Sequence, residues 1–240
     1  MSGQARSDTR ATSAALSGGV RLGAGPGAAT FVLGLAYGAA ASAAGWGAAV
    51  PLVFSVLACS GSAQFTLLAA LPAGGAVAAV AAAVLINARY CVMSVALNDS
   101  LRGSRLRRAL QAQALLDASF AAGHCGGGRF DVARLAGASI PQWAGWVSGT
   151  AVGLAAAPSA QLMRALGADV VLPAFFLMLV LDELRRSRRA IAAAILGASI
   201  AAALLFVTSP GNALLGATAA ALIGAVHGRR PPPSAREGHS

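Results

Sequence analysis

The chain has 240 residues, of which 57% are apolar and only 11% are charged, and its mean hydropathy is +0.68. Soluble domains carry roughly a quarter charged residues, so the composition excludes an ordinary soluble protein and predicts an all-α polytopic membrane protein. All eighteen basic residues are Arg, and the net charge is +10. Because these arginines flank apolar runs without stacking aromatics beside them, they indicate cytoplasmic anchoring and no binding of nucleic acid.

A helix of about 20 apolar residues crosses a bilayer, and the chain has room for about six to seven such spans. Residues 26–227 are therefore predicted to form one transmembrane domain. Residues 1–25 are small and polar and lack the apolar core of a signal peptide. Residues 228–240 are rich in Pro and Arg. Both ends are predicted to be disordered cytoplasmic tails.

The first span is predicted from Pro26 or Gly27 to Ala44, with Gly34 and Gly38 spaced for close helix packing. Trp143 and Trp146 stand near the start of the fourth span and are typical of an interfacial belt. The spans predicted after the second are Gly75–Leu97, Ala138–Ala157, Val170–Leu181, Ala190–Val207 and a last one that ends at Val226.

The second apolar segment, Ala48–Leu71, contains a polar island that runs from Ser60 to Gln64. Gly and Ser weaken a helix, so the segment can break here and release backbone groups for a ligand, as in transporters with discontinuous helices. Alternatively, the Ser hydroxyls bond to carbonyls one turn earlier and Gln64 bonds to a neighbouring helix. Both interpretations remain open from the sequence.

The third span carries a second polar island, in which Asn87 and Arg89 lie close together. Arg89 lies about 12 Å inside the end of the span. It either snorkels to the interface as an anchor, or faces a polar cavity in which its guanidinium binds a carboxylate. After the Arg-rich loop, Leu110–Gly123 is too short to span and is interrupted by Asp117, which predicts an interfacial or half-membrane helix with a charge that can pair or carry a proton.

The Arg clusters test the topology, because they should all be cytoplasmic. Three full crossings from a cytoplasmic N-terminus would place the cluster at 102–108 outside. A re-entrant second segment removes this conflict, and so does a spanning segment with the N-terminus outside. The spacing Gly-x5-Pro-x2-Phe, which begins at Gly45 and again at Gly167, also suggests two weakly related halves.

The three cysteines form no CxxC pair, and His124 beside Cys125 is more typical of a loop than of a metal site. The sequence therefore predicts no metal and no cofactor. Ser139 and Ser199 lack the following Gly of an intramembrane serine protease motif. The chain is therefore not expected to be an enzyme.

Four segments together carry a family resemblance: Gly61-Ser62-Ala63-Gln64-Phe65, Asn87-Ala88-Arg89-Tyr90, Asp117-Ala118-Ser119-Phe120 and Leu172-Pro173-Ala174-Phe175-Phe176. In this order they resemble the AzlC family of branched-chain amino acid exporters, over about Gly25 to Val226. Two positions depart from the family pattern, since Tyr90 stands where His is usual and Ala118 where an acidic residue is usual.

The resemblance implies that residues 26–227 form a transport domain that exports branched-chain or similar small apolar amino acids. It also implies a small AzlD-type membrane subunit as a partner. We then expect a multi-pass protein of the inner (plasma) membrane, surrounded by lipid, with both termini cytoplasmic. The alternatives are a transporter or channel for another small solute, or a structural membrane subunit.

A zwitterionic substrate needs donors for its carboxylate, acceptors for its ammonium and an apolar slot. The candidate substrate-binding residues are Ser60, Gly61, Ser62, Gln64, Asn87 and Arg89. Asp117 is the candidate for ammonium binding or for coupling to an ion. The candidate slot residues are Phe54, Phe65 and Phe175.

Overall fold

The computed structural model describes residues 2–126, 128–156, 161, 177, 181 and 188–206. Seven α-helices have defined bounds in these ranges: α1 Ser2–Ala43, α2 Ala49–Ala58, α3 Gly61–Leu97, α4 Arg105–Ala112, α5 Asp117–Gly123, α6 Val132–Ala156 and α7 Arg188–Leu205. The described part has no strand, only an isolated bridge between His124 and Phe130. Two of its helical stretches, Thr9–Ala43 and Gly61–Ser100, are long and apolar enough to cross a membrane. The prediction of an all-α membrane protein is confirmed.

The chain divides into two compact units. The first comprises Met1–Leu68 and Ala83–Leu172, and the second comprises Ala69–Ala82 and Pro173–Ser240. In the second unit the structure describes 69–82, Leu177, Leu181 and α7. The candidate site described below belongs wholly to the first unit.

Helices α1 and α6 run parallel and touch through their backbones. A Cβ added at Gly19 would stand 2.2 Å from the Arg134 carbonyl oxygen, and one added at Gly38 would stand 2.3 Å from the Thr150 carbonyl oxygen. The facing glycines of α6 are equally confined, since a Cβ at Gly149 would stand 2.2 Å from the Phe31 carbonyl oxygen. The small-residue packing expected at Gly34 and Gly38 therefore extends along the whole pair.

The prediction of a disordered tail at residues 1–25 is wrong, because α1 begins at Ser2. Its small residues do not mark a flexible tail. They let the backbone of α1 lie against α6, as at Gly19 and Gly23. Pro26, predicted to open the first span, lies inside the continuous helix.

Helix α3 is not one straight rod, because Gly75 interrupts it with φ 76° and ψ 177°. The Ser60 hydroxyl donates to Asn87 Oδ1 at 2.7 Å although the residues are 27 positions apart, a separation of about 40 Å along a straight helix. The arms 61–74 and 76–97 therefore fold back on each other. Gly is suited to the turn because this backbone conformation is costly for any other residue.

The prediction that Ala48–Leu71 is broken is confirmed, since α2 ends at Ala58 and α3 begins at Gly61. The prediction that a separate third span begins at Gly75 is corrected to a helical arm that begins just after Gly75. Gln64 reaches Ser55 across the break, with 3.0 Å between Gln64 Nε2 and Ser55 Oγ. A continuous helix would separate these two residues by about 13 Å, so the chain bends back at the break. The re-entrant path through the bilayer stays a prediction.

The single helix predicted at Leu110–Gly123 is corrected to two short ones, α4 and α5. The chain turns between them, and Ser119 then fixes the start of α5 by accepting from the Leu116 amide at 2.8 Å. Leu97, Leu115 and Leu135 form a buried cluster that joins the end of α3 to the start of α6.

The fourth predicted span corresponds to α6, which begins six residues earlier than expected, at Val132. The sixth corresponds to α7. The seventh predicted span and the second Gly-x5-Pro-x2-Phe element lie outside the described residues. So does the fifth predicted span, apart from Leu177 and Leu181. The first element of that repeat places Pro51 and Phe54 in α2.

Candidate functional site

The break between α2 and α3 is built by two residues with non-helical backbone. Cys59 has φ 42° and ψ 39°, and among the described residues it is the only non-glycine with positive φ. Ser60 follows with φ −120° and ψ 90°, and its hydroxyl accepts from the Ala63 amide at 3.5 Å. A left-handed non-glycine residue stores strain and is frequent at functional sites. The first amides of α3, at Gly61 and Ser62, have no acceptor within the described part of the chain.

One side of the break is closed by a buried polar network, which we call the core network: Ser55, Gln64, Trp146 and Thr150. Gln64 donates from Nε2 to Ser55 Oγ at 3.0 Å and accepts from Trp146 Nε1 at 2.6 Å. Ser55 Oγ lies 3.1 Å from Thr150 Oγ1, which donates to the Trp146 carbonyl at 2.8 Å. The network ties α2 and the first arm of α3 to α6, and Gln64 has no exposed surface.

An aromatic group of three rings, Tyr37, Phe65 and Trp146, lies against the rest of this network. Tyr37 of α1 stacks on Trp146 at 5.8 Å between centroids and meets Phe65 edge-on at 5.5 Å. The Tyr37 hydroxyl is buried beside the Gln64 amide without forming a hydrogen bond of good geometry. A Cβ on Gly61 would stand 2.7 Å from the Trp146 ring. Gly61 is therefore required for the close approach of α3 to α6.

The other side of the break carries a second group of polar side chains, which we call the Arg89 cluster: Ser60, Ser62, Asn87, Arg89, Tyr90 and Asp117. Asn87 Oδ1 accepts from Ser60 at 2.7 Å and lies 3.5 Å from Ser62 Oγ. Arg89 Nη2 donates to Ser62 Oγ at 3.2 Å. The fold-back of α3 at Gly75 brings these residues together.

Arg89 is paired with Asp117 of α5, with 2.9 Å between Nη2 and Oδ2. Nη2 also lies 3.4 Å from the Tyr90 hydroxyl, and the guanidinium carbon is 5.1 Å from the Tyr90 ring centre. The Arg89 Nε is buried and has no acceptor among the described residues. The two side chains are 31% and 53% exposed, so the pair is open on one side.

The structure thus brings together five of the seven residues predicted from the sequence: Ser60, Ser62, Asn87, Arg89 and Asp117. Gly61 instead packs on Trp146, and Gln64 belongs to the core network. The break expected from one interpretation of the sequence occurs together with the bond from Gln64 to a neighbouring helix expected from the other. The hydroxyls of Ser60 and Ser62 meet Asn87 and not carbonyls one turn earlier.

Three residues of the core network, Ser55, Trp146 and Thr150, were not predicted from the sequence, and neither was Tyr37, which stacks on Trp146. Trp146 is 3% exposed, so its interpretation as an interfacial belt residue is wrong, whereas Trp143 is 43% exposed and donates to the Val56 carbonyl. The available signal was the spacing of Trp146 and Thr150, one helical turn apart on the face that carries Gly149 and Gly153. Phe175, a candidate slot residue, lies outside the described residues, and Phe65 is sealed in the aromatic group.

Within the described part of the chain no three His, Cys, Asp or Glu side chains gather as a metal site would require. His124 packs edge-on against Phe130, and the backbone of Cys125 bonds to Arg129. Both residues belong to the turn that leads into α6.

A comparison with protein families matches residues 27–159, more than half of the chain, to the family described as AzlC protein. The matched range includes the break, both arms of α3, α5 and all of α6, and hence the core network and the Arg89 cluster. No curated protein and no solved structure gives a significant match to the chain.

Proposed function

Because the chain belongs to the AzlC family of membrane transport proteins, we propose that it exports branched-chain or similar small apolar amino acids, with the Arg89 cluster as the substrate site. The observation that carries the proposal is the partly exposed Arg89–Asp117 ion pair beside a broken helix. An ion pair in a membrane domain is costly, and it marks a pathway for polar substrates more often than a purely structural contact.

A zwitterion can replace this ion pair without leaving an unpaired charge. Its carboxylate would take Arg89 and its ammonium would take Asp117. On the guanidinium, Nε and Nη2 form one edge, and Nε has no acceptor among the described residues. A bidentate carboxylate fits that edge once Asp117 turns from Nη2 to the ammonium. The amides of Gly61 and Ser62, which have no acceptor among the described residues, supply further donors near the same place.

The apolar part of the substrate would lie beside Phe120 and Met93. Both are partly buried and pack on the Leu97–Leu115–Leu135 cluster. Phe120 lies one turn after Asp117 on α5, so it shares a face with the proposed ammonium partner. These two residues take the place of Phe65, which the aromatic group seals away from the Arg89 cluster.

The proposed membrane orientation follows from the position of the arginines in the first unit. The N-terminal half of α1 contacts the start of α6, and the Phe130 amide donates to Ser100 at the end of α3. The arginines of α1, the cluster at 102–108 and Arg134 therefore share one end, which the positive-inside rule assigns to the cytoplasm of a plasma-membrane protein. A small AzlD-type subunit is the proposed partner, by the family resemblance.

The test is uptake and efflux of labelled valine in proteoliposomes that contain the purified chain, with and without a co-expressed AzlD-type subunit. We expect Arg89→Gln and Asp117→Asn each to lower the initial rate at least about tenfold, the equivalent of one charge-assisted hydrogen bond. Arg10→Gln, which removes an exposed charge on α1, is the control and should transport normally. Parental rates in both site variants would place the substrate elsewhere.

Competing compounds separate an amino acid site from a site for another solute. Leucine should inhibit valine transport, whereas its analogues without the ammonium or without the carboxylate should not, because each leaves one charge of the pair unmatched. Equal inhibition by all three would favour a different small solute. Transport that never proceeds against a gradient would favour a channel.

A further inference from the structure

Helix α4 is strongly amphipathic and has almost no cover. At 100° per residue, Leu106, Ala109 and Leu110 fall on one face, and the opposite face carries the three arginines Arg105, Arg107 and Arg108. Leu106 is 71% exposed and Leu110 is 65% exposed. None of the three arginines is paired with a carboxylate in the described part of the chain. The helix therefore presents an unpartnered apolar face and an unneutralised basic face at the same time.

The place of α4 is fixed at the polar end of α3. Arg108 donates to the Asn98 side chain, and the Arg102 amide donates to Gln111 Oε1 at 3.3 Å. Gly103, with φ 101°, makes the turn that brings Arg107 over the loop. Since the apolar stretch of α3 ends at Leu97, these bonds hold α4 where hydrocarbon gives way to headgroups.

We propose that α4 lies in the membrane interface and binds the headgroups of anionic phospholipids. Its leucines would enter the acyl boundary while its arginines hold lipid phosphates, which accept forked hydrogen bonds from guanidinium groups. Charge complementarity distinguishes this occupant from a protein. A protein partner would cover the leucines, but it would also need acidic groups opposite three arginines within eight residues.

Lipid binding at α4 has a consequence for the proposed transport site, and this step rests on the proposed function. Only residues 113–116 separate α4 from α5, whose first residue is Asp117. Headgroups that hold α4 therefore also restrict the position of Asp117, the partner of Arg89. Transport should then be faster or slower in anionic than in neutral membranes, whereas binding at α4 does not require transport.

The experiment places a polarity-sensitive dye on α4 of the full chain. The three native cysteines are replaced by Ser, Leu106→Cys is labelled, and the protein is reconstituted in nanodiscs of phosphatidylcholine with increasing phosphatidylglycerol. We expect the emission to shift to the blue as phosphatidylglycerol is added. The triple variant Arg105→Gln, Arg107→Gln and Arg108→Gln should lose most of this shift over the same range of phosphatidylglycerol.

The matched control removes the same charge elsewhere, through Arg10→Gln, Arg21→Gln and Arg129→Gln, three exposed arginines of the first unit. It should titrate like the parent. A blue-shifted dye in pure phosphatidylcholine that is indifferent to the α4 arginines would overturn the proposal in favour of burial against protein. The same shift produced by inorganic phosphate in neutral nanodiscs would overturn it in favour of a free-anion site. Leu110→Gln, which keeps every charge, should weaken the shift if the apolar face enters the membrane.

Discussion

The Arg89 guanidinium makes its contacts through Nη2, which reaches Ser62, Tyr90 and Asp117. Gln64, by contrast, uses both amide atoms in bonds to Ser55 and Trp146 and is fully buried. The two residues look alike in the sequence, as polar side chains in apolar segments, yet they serve different purposes. Gln64 positions the break, and Arg89 is the residue to which the proposed function assigns the substrate carboxylate.

This difference predicts separable phenotypes. Gln64→Ala leaves the buried Trp146 Nε1 without its acceptor, at a cost of about 1–3 kcal/mol, and Ser55 keeps only its bond to Thr150. We expect a lower midpoint of thermal unfolding in detergent. Arg89→Gln should leave that midpoint nearly unchanged while it lowers valine transport at least about tenfold. An unchanged midpoint for Gln64→Ala would contradict the role given to the core network.

At the scale of elements, α1 and α6 are joined by backbone contact, and the arms of α3 are joined by a turn at Gly75. In lipid, helices gain little from hydrophobic association, so close van der Waals packing between small residues supplies much of the attraction. The parallel α1–α6 pair supports the first arm of α3, because Trp146 of α6 contacts Gly61 and Gln64. Its register therefore determines the position of the break.

Glycines on α1 provide a matched pair of variants. A Cβ at Gly38 would stand 2.3 Å from the Thr150 carbonyl oxygen, whereas a Cβ at Gly25 meets nothing within 4 Å. Gly38→Ala should destabilise the protein by about 1–3 kcal/mol, as overpacking does. Gly25→Ala should stabilise it slightly, since Ala is favoured over Gly in a helix by about 1 kcal/mol. Thermal unfolding of the two variants side by side measures the difference, and equal midpoints would contradict the backbone contact.

Most of the helical content and the break could be predicted from the sequence, because apolar length and the Ser-Gly-Ser run are local signals. The fold-back of α3 could not, since Gly74 and Gly75 look like two more small residues in a chain with 29 glycines. The helical course of residues 2–25 was missed because its support comes from α6, which lies more than a hundred positions away. Contacts between distant residues likewise decide which islands are structural, as the bond from Trp146 to Gln64 shows.

At the scale of the whole molecule, the first unit has the arginines of α1, the cluster at 102–108 and Arg134 at one end and the loop 44–48 at the other. The proposed orientation predicts which positions a membrane-impermeant thiol reagent reaches in intact cells. With the native cysteines replaced by Ser, Ala48→Cys should react from outside. Ser104→Cys should react only after the membrane is permeabilised, because the proposed orientation places its Arg-rich loop in the cytoplasm. The reverse pattern would contradict the orientation.

In the proposed export cycle, the ion pair between Arg89 and Asp117 also determines how the membrane voltage acts on transport. The empty site carries one positive and one negative charge, and a site loaded with a zwitterion has the same sum. Each elementary charge that crosses the field is worth about 2.3 kcal/mol per 100 mV, but here no net charge moves in either the loaded or the empty passage. The proposed carrier cycle is therefore electrically silent in itself. Any current that accompanies the proposed export would measure the ions coupled to it.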